Sequence, residues 1–149
     1  MNGIHKINFI QRAMFKKCSF FLSVAQIFKK NIMKKSTFDD YISRFNAQDM
    51  TTFDDYIAPN MKMINGTLEY EGVQGMKDHY AKIWGRFSEQ LTVQKFIGNQ
   101  KNVAIQMWAH FTALVDDENS IFGSVKSGET FDFRGLIMYE LVDGKFLNS

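Results

Sequence analysis

Val103-Ala104-Ile105-Gln106-Met107-Trp108-Ala109-His110-Phe111-Thr112-Ala113-Leu114-Val115 carries an apolar residue at every odd position, while Gln106, His110 and Thr112 interrupt the even ones. Alternation with a period of two belongs to a strand with one face on a core. The segment 130–142 repeats the pattern, with Phe131, Phe133, Gly135, Ile137, Tyr139 and Leu141 at odd positions. Asp143-Gly144 then signals a hairpin turn, and Phe146-Leu147-Asn148-Ser149 leaves room only for a short last strand. Residues 91–97 are rich in β-formers and are turned by Gly98-Asn99, and Asp116-Asp117-Glu118-Asn119-Ser120 reads as a polar loop.

Upstream of these strands the signals are helical. Thr37-Phe38-Asp39-Asp40-Tyr41-Ile42 recurs letter for letter as Thr52-Phe53-Asp54-Asp55-Tyr56-Ile57. Each copy predicts a helix start: Thr as N-cap, Asp three residues on to complete a capping box, and Phe and Tyr on one face. The absence of a third copy argues against a repeat array. Asn46-Ala47-Gln48-Asp49 separates the two helices, and Pro59 is expected to stop the second. Met61-Lys62-Met63-Ile64 reads as a short strand before an Asn65-Gly66 turn. Glu71-Gly72 leads into a third helix through Phe87, with Met76, Tyr80, Ile83, Trp84 and Phe87 at helical spacing and His79 on its flank. Helices followed by a meander of strands make the fold class α+β.

The chain of 149 residues suits one domain. Its formal charge of +2 hides a division. Residues 1–35 hold eight basic and no acidic side chains, whereas residues 36–149 hold ten basic and sixteen acidic ones, so the two parts carry +8 and −6. The basic leader has three readings: an organellar or export signal, a folded helical extension, or sequence upstream of a true start at Met33. The last implies a cytoplasmic protein, the first an organelle-targeted or exported one. The expected domain is 36–149. The single Cys18 excludes an internal disulfide framework. No apolar run is long enough for a stable membrane span, and no glycine-rich phosphate loop or metal-ligand spacing is present. The leader lacks the interleaved aromatic residues of a nucleic-acid stacking platform. The expectation is therefore no cofactor, no metal and no nucleic acid.

If the odd face of both long strands looks inward, Met107, Phe111, Phe133, Ile137 and Tyr139 face Tyr41, Phe45, Tyr56, Tyr80 and Trp84 of the helices, as a core or as a cavity lining. Asp132 and Arg134 then fall on the outer face, as a surface ion pair. Trp108, His110, Arg134, Leu136 and Met138 share that face, which holds more large apolar residues than a solvated sheet carries. A second copy of the chain is the simplest cover.

Residues 36–146 resemble the nuclear transport factor 2-like superfamily and, within it, the SnoaL-like, polyketide cyclase-like group. The resemblance rests on Phe45-Asn46-Ala47-Gln48-Asp49, Tyr56-Ile57-Ala58-Pro59-Asn60-Met61-Lys62-Met63 and Tyr70-Glu71-Gly72-Val73-Gln74-Gly75-Met76-Lys77-Asp78-His79-Tyr80. Val103-Ala104-Ile105-Gln106-Met107-Trp108, Phe133-Arg134-Gly135 and Tyr139-Glu140-Leu141-Val142-Asp143-Gly144-Lys145 complete it. It implies a cone of curved antiparallel sheet closed by three helices around an apolar pocket, with the last strand cut short. The implied lining is Tyr41, Phe45, Tyr56, Met63, Trp84, Met107, Phe111, Phe133 and Ile137. Where steroid isomerase-like members carry a carboxylate base this chain has Asn65, and where they carry a second acid it has Ile137. The catalytic candidates are accordingly Asn65, His79 and Tyr80. The resemblance implies a cofactor-free isomerase, cyclase or hydratase acting on an apolar molecule by acid–base chemistry, or a non-catalytic binding or dimerisation module on the same cone.

Overall fold

The alternating segment at 103–115 does form a long strand, Asn102–Ala113, paired on both sides within a sheet. In a computed structural model, residues 32–65 and 68–149 are described, so the readings of leader residues 1–31 and of Gly66 lie outside the described residues. The helices are α1 (Lys35–Asn46), α2 (Thr51–Tyr56) and α3 (Gly72–Trp84). The strands are β1 (Ile57–Asn65), β2 (Leu68–Glu71), β3 (Phe87–Gly98), β4 (Asn102–Ala113), β5 (Asp117–Ser120), β6 (Gly123–Val125), β7 (Thr130–Val142) and β8 (Lys145–Asn148). Six strands form one sheet in the order β2-β1-β8-β7-β4-β3, and β5 and β6 form a separate hairpin. The fold is α+β, a curved, mainly antiparallel sheet with helices from the N-terminal half. The sheet is not closed into a barrel: β2 and β3 remain its edges.

β3, β4 and β7 carry the architecture. β4 runs antiparallel to β7 from Asn102↔Glu140 to Thr112↔Thr130, so the two alternating segments stay in phase across the ladder. The short β8 sits in the sheet interior, antiparallel to β7 and parallel to β1. Asp143 and Gly144 both take positive φ, 50° and 78°, as a tight hairpin between twisted strands requires. Gly72 opens α3 at φ 66°, where a Cβ would stand 2.7 Å from the Pro59 carbonyl oxygen. Only glycine fits that approach.

Several boundaries depart from the local signals. Neither Thr-x-x-Asp pattern caps its helix. α1 starts three residues early, with the Lys34 carbonyl accepting from the amides of Thr37 and Phe38, and Met33 packs into the core ahead of it at 4% exposure. In α2 the N-cap is Met50, and Asp49 just before it accepts through Oδ1 from the Thr51 amide at 2.9 Å and the Thr51 hydroxyl at 2.5 Å. Thr52 turns into the core with its hydroxyl unpaired. Burial of Phe38 and Phe53 sets the helix phase and outweighs the cap, which is worth about 1 kcal/mol. Pro59 lies inside β1, where the pairing with β8 shifts register, a position that needs no ladder donor. α3 ends at Trp84, and Phe87 opens β3 as a buried strand residue. The expected polar loop instead supplies β5.

The exposed edge of β3 is clamped from α1. The Asn46 side chain donates to the Leu91 carbonyl at 2.9 Å and accepts from the Leu91 amide at 2.8 Å, which satisfies one free edge position with both amide atoms. Behind the clamp lies an aromatic core in which Phe38 meets Tyr41, Phe96, Tyr139 and Phe146, and Phe45 meets Tyr80 and Trp84. Among the described residues no helix is long and apolar enough to cross a membrane.

Candidate functional site

Between α1, β2 and α3 on one side and the inner face of β3, β4 and β7 on the other lies a cavity of about 630 Å³. It is an ordinary size for a small-molecule site. Of the residues expected to line it, Tyr41, Phe45, Met63, Met107, Phe111, Phe133 and Ile137 do, and the catalytic candidates His79 and Tyr80 also border it. Tyr56 and Trp84 do not. The Tyr56 hydroxyl donates outward to Asp40 at 2.6 Å. Trp84 is one turn beyond Tyr80 and is carried behind the cavity wall, stacked on Phe53 at 5.8 Å, its indole N–H buried without a partner. The backbone of Asn65 pairs with Leu68 at the hairpin end, and its side chain lies outside the described residues.

The residue with the most chemistry in the cavity is one that the sequence pattern did not single out. Glu89 is 6% exposed and lines the cavity from β3, opposite Phe111 of β4. It forms no hydrogen bond or ion pair with any described residue. A carboxylate deprived of water, donors and cations resists ionisation, and burial pushes the Glu89 carboxyl up to about 7. Its signal was present: Phe87, Glu89 and Leu91 alternate on one face. Assigning Phe87 to a helix and starting the strand at Leu91 hid it.

Groups from four other elements surround Glu89. Burial raises the hydroxyl pKa values of Tyr41 on α1, Tyr80 on α3 and Tyr139 on β7, and brings that of Tyr70 on β2 up to about 12; the Glu89 charge adds to each. No described residue is hydrogen-bonded to any of these four hydroxyls. His79 stacks on Tyr70 at 4.5 Å and meets Tyr80 edge-on at 5.0 Å. Burial, with a smaller push from Lys82, lowers its pKa, so the imidazole is neutral at pH 7.

Phe122, at the turn of the β5–β6 hairpin, lines the cavity beside Phe111 and Phe133. It stacks on Phe131 at 5.0 Å and Phe133 at 5.4 Å and meets Phe87 and Phe111 edge-on. Arg134, Leu136 and Met138 touch the cavity rim although they belong to the outer face. There the expected Asp132–Arg134 ion pair is absent. Asp132 instead accepts from Trp108 Nε1 at 2.9 Å and bonds His110 Nδ1 at 2.7 Å, while the Arg134 guanidinium lies 5.1 Å from the Trp108 ring centre. Cross-strand register, Trp108↔Arg134 and His110↔Asp132, makes these the nearer partners. Among the described residues no three His, Cys, Asp or Glu side chains group to hold a metal ion.

The site thus combines one carboxyl poised to exchange a proton near neutral pH, a neutral imidazole and free tyrosine hydroxyls in an apolar enclosure. That set can remove a proton, return it, and donate hydrogen bonds to an oxygen that gains charge.

Comparison with known proteins adds the following. The SnoaL-like domain family matches residues 38–148. No curated protein sequence matches the chain. Among solved structures, a polyketide cyclase-like protein from Silicibacter sp. superposes with a TM-score of 0.65 at 17% identity, covering 76% of this chain and 82% of the other. TsrD from Streptomyces laurentii gives 0.62 at 17% identity over 77% and 86%. An epoxide hydrolase of the LEH-like type from M. tuberculosis gives 0.58 at 12% identity, covering 72% of each chain. At these identities the likeness is one of fold.

Proposed function

The chain belongs to the SnoaL-like domain family of the nuclear transport factor 2-like superfamily, and on that premise we propose that it is a cofactor-free acid–base enzyme that isomerises or cyclises an apolar carbonyl compound. The observation that carries the reading is Glu89, a buried, unpartnered carboxyl in an aromatic cavity that ionises near neutral pH. Glu89 takes a proton from a carbon next to the substrate carbonyl. The C–H bond breaks, its electron pair moves into the enolate, and tyrosine hydroxyls donate to the oxygen that gains charge. Glu89 then returns the proton at a second position, or the enolate carbon bonds to a second carbonyl carbon in the same molecule, whose C=O π pair moves onto its oxygen and takes the proton back from Glu89. Neutral His79 orients the Tyr70 and Tyr80 rings. Polyketide cyclase-like and epoxide hydrolase-like structures share the cone, which supports small-molecule chemistry in it.

The test has two arms. Carbon-13 NMR should show the Glu89 carboxyl titrating near 7, and solvent deuterium should enter an apolar ketone such as 2-tetralone in the presence of the protein. Glu89→Gln should remove at least about 100-fold of that exchange, the lower range for general acid–base catalysis. A carboxyl that titrates near 4, or exchange undiminished in Glu89→Gln, would overturn the reading. Absence of exchange in the wild type would leave a binding module.

The exposed outer face fits a second copy. Leu136 and Met138 stand 85% and 67% exposed beside Trp108. Asp132 and Arg134 add both signs of charge to the same face, as a self-complementary contact requires. Sedimentation at micromolar concentration should give a dimer that Leu136→Asp dissociates; a monomeric wild type would sink this part.

A further inference from the structure

Glu89 shares its cavity with Tyr41, Tyr70, Tyr80, Phe111 and Tyr139, and no described residue balances its charge. The lining runs as a connected wall: Tyr41 to Phe45 at 6.2 Å, Phe45 to Tyr80 at 4.9 Å, Tyr80 to His79 at 5.0 Å, and His79 to Tyr70 at 4.5 Å. Among the residues that line the cavity, Glu89 is the one acidic side chain and Arg134 the one Lys or Arg. Arg134 is occupied at the rim over Trp108. The interior therefore offers an apolar visitor one fixed negative charge and several aromatic faces, each with a negative centre. The complementary ligand is a cation with an apolar body.

We propose that this cavity binds protonated apolar amines, the ammonium pairing with the Glu89 carboxylate against the Tyr41–Phe45–Tyr80 wall, and that such amines thereby block the acid–base group. Pairing supplies the donor and counter-charge that no described residue gives Glu89, and the aromatic faces replace the water that the ammonium gives up. An apolar carboxylate meets the opposite: two anions in one largely apolar cavity. The inference rests on the proposed function only in treating the cavity as open to small molecules; it does not require turnover.

The sign of the pH dependence follows. Binding requires ionised Glu89, so affinity grows as pH rises through about 7. The groups facing Glu89 are Tyr41 from α1, Tyr70 from β2, Tyr80 and His79 from α3, and Tyr139 from β7. The tyrosines stay neutral throughout. His79 gains charge only in acid, where it repels the amine and steepens the same trend.

Isothermal titration with 4-phenylbutylamine, 4-phenylbutan-1-ol and 4-phenylbutanoate tests the proposal on the full chain. At pH 8 the amine should bind at least about tenfold more tightly than the alcohol, and the acid should not bind; tenfold corresponds to about 1.4 kcal/mol. Between pH 8 and 5.5 the amine should lose roughly thirtyfold as Glu89 protonates, while the alcohol changes little. Glu89→Gln should erase both the preference and most of the pH dependence. Equal binding of amine and alcohol at pH 8, or a preference that survives in Glu89→Gln, overturns the proposal. If that variant does not fold, the wild-type pH profile decides alone: a flat profile is fatal. Glu89-dependent amine binding without ketone exchange would defeat the proposed reaction and leave this site standing, and exchange without amine preference would do the reverse.

Discussion

Glu89→Gln should make the protein more stable at pH 8, by roughly 3 kcal/mol, and leave its stability at pH 4 unchanged. The folded-state pKa of Glu89, about 7, lies above its ordinary value of 4.5, so the native state holds this proton more tightly than the unfolded chain does. Below 4.5 both states are protonated and the carboxyl costs nothing extra. As pH rises from 4.5 to 7 the unfolded chain ionises freely while the native state resists, and stability falls; above 7 the full penalty is present. Each tenfold difference in proton affinity between the two states is worth about 1.36 kcal/mol, and the interval from 4.5 to about 7 gives the figure above. In a domain of this size it corresponds to a rise in Tm on the order of 10 °C. Glutamine keeps the shape and removes the charge. Urea denaturation at both pH values checks the result. Equal midpoints at pH 8, or a gain of the same size at pH 4, would show that burial does not hold the carboxyl neutral. A gain in stability joined to a loss of proton transfer is the exchange expected of a group kept for chemistry rather than for folding.

Phe146→Ala should cost about 3–5 kcal/mol, a large share of the stability of a single domain. Phe146 is 1% exposed. Its ring lies 4.6 Å from Tyr139, 5.0 Å from Tyr41 and 5.9 Å from Phe38. It is the side chain by which the short β8 grips both α1 and β7, and β8 separates β1 from β7 in the sheet. Truncation therefore leaves a cavity and loosens the strand that joins the two halves of the sheet. Phe133, exposed at the cavity rim, is the contrast, and its replacement by alanine should cost less than half as much. Denaturant midpoints of the two variants decide; similar losses would mean that β8 is held by backbone pairing alone.

Much of this fold is legible in the residues. The alternation at 103–115 and 130–142 places Met107, Phe111, Phe133 and Ile137 on the inner face, and Tyr41, Phe45 and Tyr80 follow from helical spacing. Asp143-Gly144 specifies its turn because few residue pairs accept two positive φ values. The failures lie where contacts distant in sequence override a local signal. Thr37 and Thr52 have the right side chain for a cap, yet the burial of Phe38 and Phe53 outweighs that bond. Trp84 has the same helical phase as Tyr80 but lies a turn further along, where the cavity has ended. Pro59 stops a helix in isolation, and here it is accommodated in a strand at an irregular point of the ladder.

The sequence by itself determined which faces are apolar, because periodicity is a property of the backbone geometry of each segment. It also placed Glu89 two residues from both Phe87 and Leu91, where strand geometry turns all three inward. Only the tertiary structure decided that no described residue gives this carboxyl a counter-charge. That depends on α1, β2, α3 and β7, distant along the chain, bringing rings and neutral hydroxyls to it rather than a lysine or an arginine. A pKa is set by what surrounds a group in space, and no local pattern carries that information.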